Sequence, residues 1–377
     1  MLVKLWGAEK VVEELMYIFP EAKLYTLLYD EKKVGKIFPK SAIHPQCFSL
    51  PSQKRYKLLK KQKLCLPKMA ESVEALDFSH YDVLIISSSW FAHGALSKPE
   101  CKAIVYYHAP ARYLWDWTHE YRRELWFHRW ILGYFFWKYL KELREWDYVA
   151  SRRPDLVLAN SKTTASRIRK YYRRTSEVVF PPIDTQRFQK KIAKKNLGCE
   201  SLIFSWERSP RYYITLSALT EFKRIDVAIK NFPQTWDISL VIIWEWAQRN
   251  ELEALAWDSK NIVFAGARYW DELVWLVQNS LGLIFPGEED FGIVPIEVMA
   301  AGKPVFALRK WGLTETVIEW VTGWFFEDPD WKDFKEKFEI FHGDNREGNF
   351  KPEDCKKQAE KYDRIVFQNK IQSLIKT

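Results

Sequence analysis

What most constrains this chain is an alternation of short β-branched runs with amphipathic helical stretches, met in its first half and again in its second. DVLIISSS at 82–89, KAIVYYH at 102–108 and DLVLANS at 155–161 are brief apolar runs ending in small or polar residues, the pattern of parallel strands buried on both faces. KTTASRIRKYYRR at 162–174 follows Asn160-Ser161, a pair suited to capping, and predicts a helix. The second series starts at YYITLS (212–217) and a helix from Lys223. It continues with ISLVII (238–243), a helix near 248–257, NIVFAG (261–266), a helix near 271–279, LGLIFP (281–286), a helix from Pro295 and PVFAL (304–308). Such alternation predicts an α/β protein of two doubly wound domains, and 377 residues suit two domains. The charged stretch KKIAKKNLGCE after PPIDTQRF marks the boundary, giving domains at 1–195 and 196–350. Ligands of these sheets sit beyond the strand C-terminal ends, so two facing domains imply an interdomain cleft. The closing segment 351–377 predicts a helix that packs through Ile365, Phe367, Ile371 and Ile375.

Composition narrows the setting. Hydrophobic residues make up 47%, too many for a disordered chain. Five scattered cysteines without metal spacing indicate free thiols and a reducing compartment. The N-terminus turns charged within ten residues, unlike a signal peptide. The greasy run WILGYFFWKYL at 130–140 contains Lys138 and is too short to span a bilayer. A cytoplasmic protein is expected, at most peripheral on the inner face of a membrane. Residues 1–190 carry 33 Lys+Arg against 20 Asp+Glu, and the remainder 25 against 29. A basic first half suits an anionic membrane surface or a nucleic acid, and a merely solvated face stays equally open. SQKRYKLLKKQK (52–63) and the aromatic, basic stretch 121–146 favour membrane contact, but 121–146 also suits a packed helix pair. No RNP, KH or zinc signature supports nucleic acid, and none is expected as a partner.

The densest chemistry lies in FPGEEDFGIVPIEVMAAGKPVFA, 285–307. A strand ends at Pro286-Gly287, a loop follows, and a helix starts near Pro295, a residue suited to a first helical position. Glu289 falls on that loop and Glu297, eight residues on, in the first helical turn. Phe291, Gly292 and Ile293 can offer backbone amides to sugar hydroxyls or phosphate. A carboxylate beside a ribose can accept from both hydroxyls.

The segment resembles the E-x7-E signature of retaining family-four glycosyltransferases, notably their bacterial mannosyltransferase-like branch. The resemblance implies that Glu289 contacts the transferred sugar and Glu297 the nucleotide ribose. GLTETVIEWVTGWFF (312–326) is similar to the family's phosphate loop, with Gly312, Leu313 and Thr314 offering amides to the diphosphate. LTEFKRIDVAI (219–229) places Lys223 at its phosphate-binding lysine. YYHAPARYLWD (106–116) places His108 at its active-site histidine, and LWGAEKVVEEL places Gly7 in its N-terminal glycine loop. A histidine ending a strand is by itself more often structural, and a lone lysine usually solvated; both gain meaning from their order. The implied fold is GT-B, two Rossmann-like domains facing a cleft, with the last helix crossing back to the first domain and the first strand missing from the start of this chain.

Two departures concern the site. Ser217-Ala218-Leu219 stands where the family has an arginine, and Arg224 and Arg208 are the candidates to replace it. Tryptophan, 19 against 14 glycines, stands at family glycine positions: Trp6, Trp244, Trp246, Trp270, Trp311 and Trp320, with Trp90, Trp257, Trp275 and Trp331 as further candidates. Trp115 and Trp146 match family tryptophans. Glycine is at about half its usual ~7%, and turns with positive φ disfavour tryptophan most. A source that reads UGA as glycine, translated with UGA as tryptophan, accounts for the pattern.

The resemblance implies transfer of a hexose, with mannose a candidate, from a nucleotide sugar to a glycan or lipid-linked acceptor, with retention. No metal or other cofactor is expected: Lys223, amides and a helix N-terminus would offset the leaving diphosphate. Same-face attack aided by the leaving phosphate needs no protein nucleophile, and domain closure would exclude water. The alternatives are a pseudoenzyme of the same fold, suggested by Ala218 and the tryptophans, and a nucleic-acid-binding protein using the basic half.

Overall fold

The computed structural model describes residues 1–3, 7–59, 62–119, 131–192, 211–217, 223–234, 237–243, 249–268, 270–327 and 332–376. They form two compact units, Met1–Phe180 with Gln368–Thr377, and Pro181–Phe367. Both are built on parallel sheets, so the chain is an α/β protein with two Rossmann-like units. The boundary expected at 195/196 lies outside the described residues. The units divide earlier, because Ile183 and Thr185 are tied to Asp363 in the second unit by a parallel bridge and a side-chain hydrogen bond.

In the first unit β1 (Val83–Ser88), β2 (Lys102–Tyr107), β3 (Leu156–Ala159) and β4 (Glu177–Val178) pair in that order, all parallel. β2 is buried over five consecutive residues, as a strand covered on both faces must be. Ser161 caps the helix Lys162–Tyr172, its hydroxyl accepting from the Thr164 amide at 3.0 Å. The expected loss of the first strand is partial: Leu2 forms a parallel bridge to Tyr29, and both Leu2 and Val3 are buried. The helix Gly7–Ile18 follows.

In the second unit β5 (Tyr212–Leu216), β6 (Ser239–Ile243), β7 (Ile262–Gly266), β8 (Leu283–Phe285), β9 (Val305–Leu308) and β10 (Gly323–Phe326) take the order β10-β9-β8-β5-β6-β7. One face of this sheet packs on the helix Phe334–Glu347, where Phe306 meets Phe334, Phe338 and Phe341 at ring-centroid distances of 5.1, 5.6 and 5.4 Å. Each such buried ring stabilises the fold by roughly 1.5–3 kcal/mol.

The C-terminal segment differs from the single helix expected. It forms two helices, Pro352–Glu360 and Arg364–Lys376, broken at Lys361–Asp363. Phe367 and Ile371 are buried and Ile375 half-buried, but Ile365 is exposed. The last residues belong to the first unit, where Lys102 donates to the Leu374 carbonyl at 3.1 Å and Lys370 pairs with Glu177.

Of the singled-out tryptophans, Trp6, Trp244, Trp246 and Trp331 lie outside the described residues. Trp311 and Trp320 have left-handed backbone, φ 52° and 69°, where a bulky side chain is strained. Trp270 opens the helix Trp270–Asn279, Trp275 is buried in it and Trp257 is exposed. No described helix is long and apolar enough to cross a membrane. Cys47, Cys65, Cys101 and Cys355 are buried free thiols, and Cys199 lies outside the described residues.

Candidate active site

The order of the second sheet reverses between β5 and β8: one series runs outward from β5 to β7, the other from β8 to β10. At such a switch point the connections diverge beyond the strand ends and leave a crevice. Lys223 follows β5 and Glu289 follows β8, so both expected residues arrive at this crevice. Their side chains form an ion pair. Lys223 is buried, with its ammonium 5.7 Å from the centre of the Phe285 ring. The backbone of Gly287 makes this approach possible, because a Cβ there would stand 2.8 Å from the Lys223 Cα.

The loop then enters the helix Ile293–Ala300 through Gly292, whose φ of 89° is costly for any other residue. The helix begins two residues before Pro295, so Glu297 stands in the second turn rather than the first; it is buried. No side chain caps this N-terminus. Among the described residues the amides of Gly292 and Ile293 have no hydrogen-bond partner. Phe291 is buried edge-on to Tyr362.

The loop after β9 is stitched to the same place. Gly312 donates its amide to the Glu289 carbonyl at 2.9 Å, and a Cβ at Gly312 would collide with the Asp290 carbonyl. Lys310 pairs with Glu288 at 2.6 Å, and Leu313 packs within 3.0 Å of the space a Gly292 Cβ would fill. The Thr314 amide and hydroxyl both donate to the Trp311 carbonyl, at 3.2 and 2.7 Å. Of the three amides expected to face a diphosphate, only that of Leu313 has no partner among the described residues. Arg224, a candidate for the missing arginine, gives its guanidinium to Asp226 at 3.1 and 3.2 Å; Arg208 and Ala218 lie outside the described residues. Gly287, Glu288 and Lys310 were not singled out from the sequence. Only Gly287, a glycine ending a strand, carried a signal.

In the first unit His108 directly follows β2. Its Nε2 lies 2.8 Å from the Ser87 hydroxyl and its amide donates to the Ser88 carbonyl at 2.9 Å. Burial lowers its pKa to about 3, so the ring is neutral near pH 7. Beside it lies an interior network the sequence did not reveal. The Asp147 carboxylate accepts from Trp115 Nε1 at 2.8 Å and Tyr172 Oη at 2.9 Å, and lies 3.2 Å from His93 Nε2. His93 Nδ1 in turn meets the Ser88 hydroxyl at 3.1 Å. Gly7 is the first residue of the helix Gly7–Ile18, and the three residues before it lie outside the described set.

Two family models match in tandem. Residues 32–187 match Glycosyltransferase Family 4, and residues 203–362 match Glycosyl transferases group 1. The chain belongs to the family-four glycosyltransferases. Among solved structures this glycosyltransferase is similar in fold to Anabaena HepE in complex with UDP-glucose, at 15% identity and a TM-score of 0.72 over 99% of this chain and 96% of that one. A glycosyltransferase from Rickettsia africae is also similar, at 13% identity and a TM-score of 0.62 over 98% and 93%. Among curated proteins, the α-1,3/1,6-mannosyltransferase ALG2 of Dictyostelium discoideum is 28% identical over 49% of this chain and 51% of its own length. Human ALG2 is 24% identical over 50% of each. The match thus spans about half the length of these curated relatives.

Proposed function

We propose that this glycosyltransferase moves a hexose from a nucleoside diphosphate sugar to a glycan or lipid-linked acceptor, with retention at the anomeric carbon. The observation that carries this is the meeting of Lys223, Glu289, the uncapped amides of Gly292 and Ile293 and the Leu313 amide at the switch point of one parallel sheet. A cation and converging amides suit a diphosphate, and a carboxylate beside them suits sugar hydroxyls. In this assignment Lys223 and the amides bind the diphosphate, Glu297 holds the ribose, and Glu289 orients the hexose. Donor binding then requires Lys223 to exchange Glu289 for phosphate, releasing the carboxylate toward the sugar. His108, neutral and tethered to Ser87, serves as a hydrogen-bonding group rather than a charged acid. No metal or other cofactor is assigned, since the leaving charge falls on Lys223 and amides. Mannose as the hexose follows the curated relatives' name, and a lipid-linked acceptor would fit peripheral contact with an anionic membrane on the cytoplasmic side.

Isothermal titration with UDP-, GDP- and ADP-sugars tests the donor. We expect one to bind, and Lys223→Ala to weaken it by about 1.5–3 kcal/mol, roughly 10–150-fold, as a charged hydrogen-bond donor is lost. Absence of binding by all three, or equal binding by the variant, would sink the donor assignment. Anomeric NMR of the product tests retention. A pseudoenzyme is the second reading, favoured by the left-handed Trp311 beside Gly312. Binding without turnover over a panel of acceptors would select it.

A further inference from the structure

The first unit carries a cavity of about 480 Å³ that the proposed reaction does not use. Lys23 and Lys40 stand at it with Ser41 and His44, while Ile43, Pro45 and Phe48 supply an apolar wall. Its volume falls within the range of small-molecule sites, and an apolar surface with a few convergent polar groups is their usual composition.

Its place in the fold separates it from the end that holds Gly7. Leu24 pairs in parallel with Ile43, and the His44 amide donates to the Leu24 carbonyl at 2.9 Å. The cavity therefore lies where the segment 24–29 begins. That segment ends beside Leu2, bridged to Tyr29, just before the chain turns toward Gly7. Five residues of chain, bent once at Leu27, put at most about 16 Å between the two ends.

The polar groups at the cavity point to an anion. Neither Lys23 nor Lys40 has a carboxylate within salt-bridge distance among the described residues. Both lysines are exposed, and the Lys40 ammonium lies 5.5 Å from the centroid of the Phe48 ring at the apolar wall. The His44 ring stacks on Tyr25 at 4.4 Å, and its Nδ1 is buried with no hydrogen-bond partner among the described residues. Asp77 is the acidic group near enough to act on His44, and one of its oxygens already accepts from the Ser79 amide at 2.9 Å.

We propose that this cavity binds a phosphate ester, seating the phosphate between Lys23 and Lys40 with Ser41 and His44 in reach, and the apolar body of the ligand on Ile43, Pro45 and Phe48. Two ammonium groups match the double charge of a monoester, and the apolar wall favours an ester over the bare ion. The phosphate can come from a lipid headgroup or from a free phosphate.

The test is titration of the full chain with dihexanoyl phosphatidic acid, with inorganic phosphate and with dihexanoyl phosphatidylcholine. Phosphatidic acid should bind, phosphatidylcholine should not, and Lys23→Ala with Lys40→Ala should weaken binding at least ~10-fold without moving the melting temperature. His44→Phe keeps the stack on Tyr25 and should weaken binding a few-fold. Tighter binding of phosphatidic acid than of inorganic phosphate supports the ester; equal binding would remove the role given to the apolar wall and overturn it. No binding of either, or affinity that survives the double substitution, overturns the proposal. Loss of UDP binding in the double variant also overturns it, by placing these lysines in the donor site. Failure of the wild-type chain to bind nucleotide sugars would overturn only the proposed reaction.

Discussion

The two units hold their functional groups by opposite means. In the first, side chains do the holding: Asp147, almost fully buried, gathers Trp115, Tyr172 and His93, and His93 reaches Ser88 beside His108. In the second, backbone does it: Gly287 lies against Lys223, and Gly312 lies against Asp290 while donating to Glu289. A side-chain network tolerates backbone variation but fails when one member leaves a buried partner unpaired. A backbone-built site tolerates side-chain changes nearby but not an added Cβ. The two kinds of perturbation should therefore separate by unit.

The largest expected effect is in the first unit. Asp147→Ala removes the acceptor of the buried Tyr172 hydroxyl and the part-buried Trp115 Nε1 and the partner of His93, and should destabilise the protein by about 3–5 kcal/mol. Asp147→Asn, which keeps one acceptor oxygen, should cost less. Chemical denaturation monitored by tryptophan fluorescence measures both. A cost below about 1 kcal/mol for the alanine variant would show that the network holds nothing.

In the second unit Gly312→Ala should act on donor binding before stability. The added Cβ meets backbone rather than a flexible side-chain end, so the loop must move away from Glu289. We expect donor affinity to fall by about 2–3 kcal/mol, in the range of strained or overpacked sites. An unchanged titration curve would mean that the loop contributes nothing to the donor site.

The same contrast explains what the sequence made legible. Glu289, Glu297, Gly292 and Gly312 lie within 24 residues of chain, and a local segment keeps its spacing wherever it is met. The parallel strands were equally readable, since their apolar runs are continuous. Asp147, His93, Ser88 and Trp115 come from separate elements, and nothing in their spacing announces that they meet. In the sequence Arg224 is a spare cation, but in the structure its neighbour two residues on already holds it. The break at Lys361–Asp363 leaves no mark in the sequence, because a helical pattern continues across it. The tether to Ile183 that fixes the break, through the Tyr362 carbonyl and the Arg364 amide, is a tertiary contact.

Tryptophan sharpens the comparison within the second unit. Gly266, Gly292, Gly302 and Gly348 hold left-handed backbone there, and so do Trp311 and Trp320. For an L-residue with a bulky side chain that conformation costs roughly 1–2 kcal/mol. Trp311→Gly should accordingly stabilise the protein by about 1 kcal/mol, partly offset by the greater freedom of the unfolded chain, whereas a normally placed tryptophan would lose stability on truncation. Trp320 is less clean, because its ring packs 3.9 Å from that of Trp324. Mass spectrometry of the protein from its natural source gives the more direct answer. We expect peptides with the mass of glycine at 311 and 320; the mass of tryptophan at both would end the recoding idea.

The smallest expected effect belongs to His108. Its pKa is lowered by burial to about 3, against an unperturbed value near 6.5. The unfolded chain therefore binds the proton first as pH falls, so the stability this neutral ring contributes is present above pH 6.5 and is lost progressively on acidification toward pH 3. The limit is about 1.4 kcal/mol per pH unit, and since the ring is only half-buried, water should hold the loss at pH 5 to about 1 kcal/mol. Burial lowers the pKa of His342 as well, which adds a slope of the same sign from the second unit. The two are separated by difference: His108→Gln keeps a hydrogen-bonding group near Ser87 but does not titrate, and should flatten the stability profile between pH 6.5 and 4.5. This window lies above that of Glu74, held below its usual range by hydrogen bonds from Trp146 and Arg153, and of Asp226, held there by Arg224. A variant with the wild-type slope would show that His108 is accessible enough to protonate in the folded chain, and the neutral role given to it at the acceptor side would fail.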